Sequence, residues 1–237
     1  MLTFKVLSLL LRYPTPEIHA ALGELGEPLV QDGLLPGEQC RELEALIREL
    51  AGLTLIDAQE RYVELFDRGR KLSLHIFEHT HAESRDRGPA MVELMRHYEA
   101  CGFALAAREL PDYLPLVLEF LAERPLAEAV EMLGEAMPVL TLLGARLRER
   151  GSRYAAIFES LEAIAGAPEG AEELKRQAAT EGPDEAIVDM DKIWQEEPVS
   201  FAAESALQSQ SQGGGAEHPV HWDIGLERRA PHAGPKS

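Results

Sequence analysis

The chain has 237 residues, enough to bury the core of one domain and leave a further segment beside it. Its 41 acidic and 23 basic side chains give a formal net charge of −18, which repels nucleic-acid phosphates and anionic lipid surfaces. The composition therefore argues against nucleic-acid binding and leaves two readings, a basic partner or an acidic surface that favours solubility. Two cysteines without a C-x-x-C spacing indicate no disulfide framework, which fits a reducing cytoplasm.

The N-terminal segment MLTFKVLSLLLRYPTPE contains an apolar run that stops at Arg12. The run is shorter than the roughly 20 apolar residues of a membrane span, and no small-residue cleavage site follows it. We therefore predict the first helix of a soluble protein. It should end before Pro14, and Pro16 can open the second helix at its first turn.

Apolar residues at helical spacing predict further helices as far as residue 165. These stretches cover 36–51, 54–66, 89–101, 114–121, 126–150 and 152–165. The stretch from Thr54, a candidate N-cap, carries one apolar stripe. The stretch 114–121 is apolar on nearly its whole circumference, so it is either central or faces a groove. Pro138 is expected to kink its helix or split it in two. No stretch alternates with period two, so we predict an all-α fold.

The composition changes after Gly166, where alanine, glutamate, glutamine, serine and glycine dominate. We predict a single helical-bundle domain over 1–166 and a largely irregular or disordered, acidic, low-complexity tail over 167–237, since the tail has little apolar surface to offset its ordering entropy. Two tail segments, 187–201 and 218–225, each carry a tryptophan. They are expected to fold back on the domain or to act as short docking motifs.

The segment LSLHIFEHTHAESRDRG, residues 72–88, contains an H-x-x-E-H motif, the zinc signature of one group of metallopeptidases. On one helix, His75 and His79 would share a face as zinc ligands, and Glu78 would polarise the metal-bound water. A third ligand would have to come from a downstream glutamate. The candidates are Glu149, Glu159 and Glu162. The lack of predicted strands and the charged run that follows weigh against this metallopeptidase reading.

The same segment can also work without a metal, as a dense polar connection between two apolar helices. Histidines titrate near neutrality, so their hydrogen bonds respond to small changes in pH. Such a segment either forms a recognition surface on a rigid frame or ties a long loop to the helices through side-chain to backbone bonds. Its polar members are His75, Glu78, His79, His81, Glu83, Arg85, Asp86 and Arg87.

Two long stretches carry a family resemblance. YVELFDRGRKLSLHIFEHTHAESRDRG (62–88) and ARELPDYLPLVLEFL (107–121) resemble the signature stretches of the NarJ-type chaperones. These are also called the delta subunit, or molybdenum-cofactor assembly chaperone, of respiratory nitrate reductase. They belong to the wider TorD/DmsD-like family of redox-enzyme maturation chaperones. The similarity runs from about Leu2 to Phe201.

The resemblance implies an all-helical, non-catalytic, cytoplasmic chaperone that holds no cofactor and does not insert into the membrane. It would bind the N-terminal leader of the catalytic alpha subunit of nitrate reductase. It would keep that subunit competent for insertion of bis-molybdopterin guanine dinucleotide and delay its membrane docking. A related chaperone for another molybdoenzyme is the alternative within the same family.

The resemblance also matches two short family motifs to residues of this chain, and the residue pattern suggests that they border a binding groove. Tyr62, Leu65 and Phe66 match the family's Y-x-x-L-F element, and ELPDY (109–113) matches E-x-P-D-H with Tyr113 where histidine is usual. A tyrosine can stack and donate one hydrogen bond, so this position is expected to serve recognition. We expect Tyr62, Phe66 and Tyr113 to line an apolar groove bordered by carboxylates that attract a basic leader. The predicted peptide-binding residues are Tyr62, Leu65, Phe66, His75, Phe77, Glu78, His79, His81, Glu83, Arg85, Asp86, Glu109, Asp112 and Tyr113.

Overall fold

A computed structural model describes residues 1–80, 85–104 and 109–182 of the chain. The chain divides into two units, Met1–Glu196 and Glu197–Ser237, and all the described residues belong to the first. The tryptophan segments predicted at 187–201 and 218–225 lie outside the described residues.

Across those three ranges the chain forms eleven α-helices and no β-strand, which confirms the predicted all-α fold. Helices α1 to α11 are Leu2–Leu10, Pro16–Ala21, Gly26–Asp32, Gly37–Ala51, Leu55–Tyr62, Ile76–Thr80, Arg87–Ala100, Leu114–Ala122, Leu126–Glu149, Ala155–Ala165 and Ala171–Thr180. A 3-10 turn, Leu22–Glu24, precedes α3, and a π-helical turn, Val63–Asp67, extends α5. None of the helices in the described ranges has both the length and the apolar character needed to cross a bilayer.

Two helix starts follow the predicted local chemistry. The hydroxyl of Thr15 accepts a hydrogen bond from the backbone N–H of Ile18, and Pro16 occupies the first turn of α2. Thr54 caps α5 in the same way, accepting from the N–H of Asp57 at 3.2 Å. Each cap satisfies a backbone donor that the helix itself leaves unpaired.

Helix α8 is central, which is one of the two alternatives that its apolar circumference left open. Seven of its nine residues are buried, and it packs along α1. The hydroxyl of Ser8 in α1 donates to the carbonyl of Pro115 at 2.6 Å. This bond satisfies a carbonyl group that sits inside the core.

Helix α9 continues as one helix through Pro138, so the predicted split into two helices does not occur. The helix packs closely against α10 at Gly144. A Cβ atom added there would lie 2.8 Å from the Cβ of Phe158, closer than real Cβ atoms approach. The absence of a side chain at Gly144 therefore allows the two helices to approach this closely.

Helix α11 lies beyond Gly166, in the segment that its composition had assigned to the tail. Its buried face consists of Ala171 and Ala178, and it packs on α9. Just after it, Glu181 accepts two hydrogen bonds of 2.8 Å from the guanidinium of Arg146. The packed part of the chain thus continues past residue 166, because small alanines and one bidentate ion pair hold a stretch with little apolar surface.

Candidate functional site

A short antiparallel β-bridge joins the two signature stretches, pairing His75 with Tyr113. The N–H of Ile76 donates to the carbonyl of Asp112 at 3.1 Å, and the N–H of Leu114 donates to the carbonyl of Leu74 at 2.9 Å. We call residues 74–77 and 112–114 the bridge region. It fixes the start of α6 against the start of α8.

Asp112 is the buried centre of the bridge region, with no exposed surface. One of its carboxylate oxygens accepts a hydrogen bond from the backbone N–H of Phe77 at 3.0 Å. The other lies 3.1 Å from Nδ1 of His75. Because a buried carboxylate is stable only when hydrogen-bonded, these contacts bind the two stretches to each other.

The two histidines of the H-x-x-E-H motif have opposite electrostatic environments. The hydrogen bond to Asp112 raises the pKa of His75 above its ordinary value. Burial lowers the pKa of His79, whose Nε2 donates to the carbonyl of Ser73 at 2.9 Å. Although burial by itself would raise the pKa of Glu78, hydrogen bonds from Ser73 and Arg87 hold it below its ordinary value. The segment therefore holds one histidine that is readily charged and one that resists charging.

These contacts differ from the arrangement that the metallopeptidase reading required. His75 lies in the β-bridge before α6, so it does not share a helical face with His79. Both histidines engage a ring nitrogen with protein groups, Asp112 and the Ser73 carbonyl. Within the described ranges, no three histidine, cysteine or carboxylate side chains are grouped so that they could hold a metal ion.

Tyr62 and Phe66 are core residues, contrary to the prediction that they line a groove. They are 3% and 5% exposed. The Tyr62 hydroxyl donates to the carbonyl of Leu11 at 3.0 Å, and the Phe66 ring packs between those of Tyr62 and Tyr154, with centroids 5.1 Å from each. The apolar stripe that we expected to line a groove is instead the face by which α5 and its π-helical turn pack into the core.

Tyr113 is half-buried and joins both sets of residues. Its hydroxyl lies 3.1 Å from that of Tyr62, which already donates to Leu11 and so accepts from Tyr113. Its ring lies 5.4 Å from the ring of His75. Burial raises the pKa of Tyr113, so the hydroxyl keeps its proton as a donor. The single hydrogen bond expected of this tyrosine is therefore made inside the protein.

The remaining predicted residues lie in several environments. Leu65 is half-buried and packs against the core, whereas Arg85, Asp86 and Glu109 are exposed. Phe77 and Glu78 are half-buried in α6, and Glu78 pairs with Arg87 of α7 at 3.3 Å. His81 and Glu83 lie outside the described residues.

An open groove of about 590 Å³ lies between α7, α8 and α9. We call it the α7–α9 groove. Its apolar lining is Phe77, Ala90, Leu94, Phe120, Leu121 and Met132, and its polar lining is Glu93, His97, Arg124, Glu128, Glu131 and Glu135. Phe77 alone belongs to the set predicted from the sequence.

The charges of the α7–α9 groove are unevenly paired. Arg124 forms a 3.1 Å ion pair with Glu128, and its guanidinium lies 5.7 Å from the centre of the Phe120 ring. Glu93, Glu131 and Glu135 are exposed, and in the part of the chain that the structure describes they have no basic partner. The rim therefore carries a net negative charge that a basic segment would complement.

Helix α7 forms the outer wall of the groove and is fastened near its two ends. Tyr98 is its one buried residue, with the hydroxyl donating to the carbonyl of Pro111 at 2.9 Å and the ring 4.6 Å from that of Phe120. The Arg87–Glu78 pair holds the other end to α6. In the middle of α7, Leu94 packs against the core and, being partly exposed, also borders the groove.

The sequence did not predict that glutamates of α9 border a groove, because exposed charges on an amphipathic helix usually form an ordinary solvent-facing surface. The one available signal was their spacing. Glu128, Glu131 and Glu135 are three and four residues apart and therefore share a face. Nothing in that spacing indicated that the face borders Phe120 and Leu94, because that contact is tertiary.

The comparisons with known proteins place this architecture in a family. The sequence model of the nitrate reductase delta subunit family matches residues 35–160, a range that includes both signature stretches. The chain belongs to the nitrate reductase delta subunit family, and the resemblance read from the sequence is confirmed.

Similar proteins carry names of the same kind. The chain is 43% identical over 204 residues to the nitrate reductase molybdenum cofactor assembly chaperone NarJ of Escherichia coli (strain K12), covering 86% of each chain. It is 40% identical over 212 residues to a protein of the same strain named "Probable nitrate reductase molybdenum cofactor assembly chaperone NarW", covering 89% of this chain and 88% of the relative. A Bacillus subtilis (strain 168) protein is named "Probable nitrate reductase molybdenum cofactor assembly chaperone NarJ". The chain is 34% identical to it over 161 residues, which cover 68% of this chain and 86% of the relative.

Proposed function

We propose that this protein is an assembly chaperone that prepares a nitrate reductase to receive its molybdenum cofactor. In this proposal it works in the cytoplasm, holds no cofactor of its own and makes no covalent bonds. It binds the N-terminal leader of the catalytic alpha subunit and keeps that subunit open for insertion of bis-molybdopterin guanine dinucleotide. It also delays membrane docking until insertion is complete. Family membership and the names of the similar proteins support this role.

The observation that carries the peptide-binding part is the α7–α9 groove. Its floor offers partly exposed apolar side chains, Phe77, Leu94 and Met132, and its rim offers glutamates. An amphipathic helix buries its apolar face in such a groove, and basic residues beside that face meet the rim. The rim charges speed the encounter and select against acidic segments, while the floor supplies the affinity.

The bridge region has a supporting role in this proposal. Asp112 and His75 hold α6 against α8, and the same carboxylate orients the backbone at Phe77, which lines the groove. Asp112 and His75 thus position Phe77, a wall of the binding surface, without lining the groove themselves. This division explains how a buried carboxylate and a buried aromatic cluster can serve a binding protein.

The proposal is tested by calorimetric titration with a synthetic peptide that has the N-terminal sequence of the partner's catalytic subunit. We expect saturable binding in the micromolar range. A scrambled peptide of the same composition should bind far more weakly, because its apolar residues no longer share one helical face. The absence of saturation with the authentic leader would contradict the proposal.

A matched pair of variants on α7 locates the binding surface. Leu94 lines the groove, whereas its neighbour Met95 is 37% exposed and does not line it. We expect Leu94→Asp to weaken leader binding by about tenfold or more, because it places a charge on the apolar floor. Met95→Asp should change binding by less than about twofold, as surface substitutions usually do. Equal losses in the two variants would place the peptide elsewhere.

A further inference from the structure

We propose that the α7–α9 groove recognises two basic residues four positions apart on the bound helix, and that Glu131 and Glu135 of α9 form ion pairs with them. This inference rests on the proposed function and specifies the partner's chemistry at the same surface. It concerns charge register rather than the presence of a groove. The carboxylates along α9 suggest it by their spacing, their exposure and their pairing.

Glu131 and Glu135 are four residues apart on one helix, so they project from the same side about 6 Å apart along the axis. Both line the groove and both are exposed. Met132, beside Glu131 in the sequence, contributes to the apolar floor. A bound helix that buries its apolar face on that floor would therefore present its flanking residues to the two carboxylates.

Four residues of the bound helix also span about 6 Å, so basic side chains at positions i and i+4 match the two carboxylates when the helices run side by side. Side chains at i and i+2 point to opposite sides of a helix and cannot both reach them. The groove consequently distinguishes basic helices by spacing as well as by total charge.

The other end of the groove carries a different charge. Arg124 lies just before α9, pairs with Glu128 and covers the Phe120 ring. A basic residue placed there would meet a cation whose carboxylate partner is already engaged, which is unfavourable. The groove thus runs from a neutral end, where Arg124 and Glu128 are paired, to an acidic end at Glu131 and Glu135. The bound segment should have the matching polarity, with uncharged residues at one end and the basic pair at the other.

A charge-reversal experiment with a matched control tests the inference. Glu131→Lys with Glu135→Lys reverses the two groove charges, and Glu38→Lys with Glu42→Lys makes the same change in net charge on α4. Glu38 and Glu42 are also exposed and four residues apart. At low salt we expect the groove variant to bind the leader about tenfold more weakly and the control to change by less than about twofold. Circular dichroism should show both variants folded.

Complementary changes in the peptide complete the test. A leader in which the basic pair is replaced by glutamates should bind the groove variant better than it binds the native protein, reversing the original preference. Two further peptides of equal composition, with basic residues at i and i+4 or at i and i+2, should differ in affinity for the native protein. Glu131→Gln with Glu135→Gln should remove that difference while leaving apolar binding in place.

The possible failures are distinguishable. If the native protein binds the leader but both charge reversals weaken it equally, net charge alone acts and the register inference is wrong. It is equally wrong if neither reversal has an effect or if spacing does not matter. If the native protein binds no leader peptide at all, the proposed function fails and the inference fails with it.

Discussion

The bridge region and the α7–α9 groove differ in how completely their polar groups are satisfied. In the bridge region Asp112 is fully buried, and its two oxygens contact the Phe77 N–H and the His75 ring. In the groove Glu131 and Glu135 are exposed, without a basic partner among the described residues. Satisfied groups hold a fold together, whereas exposed charges beside an apolar floor are available to a partner. The residues that stood out in the sequence are mostly of the first kind.

The largest expected effect tests whether Phe66 is core. Phe66→Ala removes a ring packed between Tyr62 and Tyr154, so we expect a loss of about 3–5 kcal/mol in the free energy of unfolding. Val92→Ala is the control, because Val92 is 41% exposed on α7 and should change the free energy by less than about 0.5 kcal/mol. Urea denaturation measures both. A Phe66→Ala protein of unchanged stability with impaired leader binding would instead show that Phe66 belongs to the peptide-binding surface.

The next effect concerns the buried carboxylate. Asp112→Ala leaves the Phe77 N–H and the His75 ring without their partner, so we expect a loss of about 3 kcal/mol in the free energy of unfolding. Glu109→Ala, in the same motif but exposed, should cost less than about 0.5 kcal/mol. If the two variants were equally stable in urea, Asp112 would not stabilise the packing of α6 against α8.

Two glycines of α9 should respond to alanine with opposite signs. At Gly144 the new Cβ would lie 2.8 Å from that of Phe158, so Gly144→Ala should cost about 1–3 kcal/mol by overpacking. At Gly134, in the same helix, no atom lies within 4 Å of the new Cβ. Gly134→Ala should therefore stabilise the protein by about 0.5–1 kcal/mol through helix propensity. Thermal melting of the pair measures this, and a stabilised Gly144→Ala protein would refute the close approach of α9 and α10.

The smallest expected effects are those of pH on the two motif histidines. Asp112 favours protonated His75 in the folded state, so its contribution to stability is complete below pH 6.5 and is lost as pH rises through its raised pKa. Burial disfavours protonated His79, so stability is lost as pH falls below 6.5 toward its lowered pKa. These opposite dependences predict greatest stability near pH 6.5, as far as these two residues determine it.

Single substitutions separate the two dependences. His75→Gln should flatten the decline in stability above pH 6.5, and His79→Gln should flatten the decline below it. Urea midpoints measured from about pH 5.5 to 8 would show this. Arg87 and Glu78 also face His75, and Arg146 faces His79, so each curve should be recorded at constant ionic strength. Identical curves for the two variants would contradict the assigned environments.

The sequence predicted the local structure well because local structure follows local chemistry. Helical spacing located the main helices, and Thr54 and Pro16 began their helices as expected. The bridge between His75 and Tyr113 joins residues far apart in the chain, and the π-helical turn after Tyr62 has no recognised spacing. Neither could be predicted from periodicity alone.

The candidate site was predicted only in part, because it depends on tertiary contacts. Amphipathic spacing shows that a helix has an apolar face, but it does not show what covers that face. Phe66 and Leu94 both lie on apolar stripes, yet one packs into the core and the other borders an open groove. Only the tertiary arrangement of α7, α8 and α9 distinguishes them.

The most direct test of the central claim is amide hydrogen exchange of the full chain with and without the leader peptide. Because α7 has only one buried residue, Tyr98, its amides should exchange more rapidly in the free protein than those of the buried helix α8. We expect the leader to slow exchange in α7 and along residues 128–135 of α9, and to leave the hydrogen-bonded bridge region nearly unchanged. Slowed exchange confined to other surfaces, with α7 unaffected at saturating leader, would contradict this expectation.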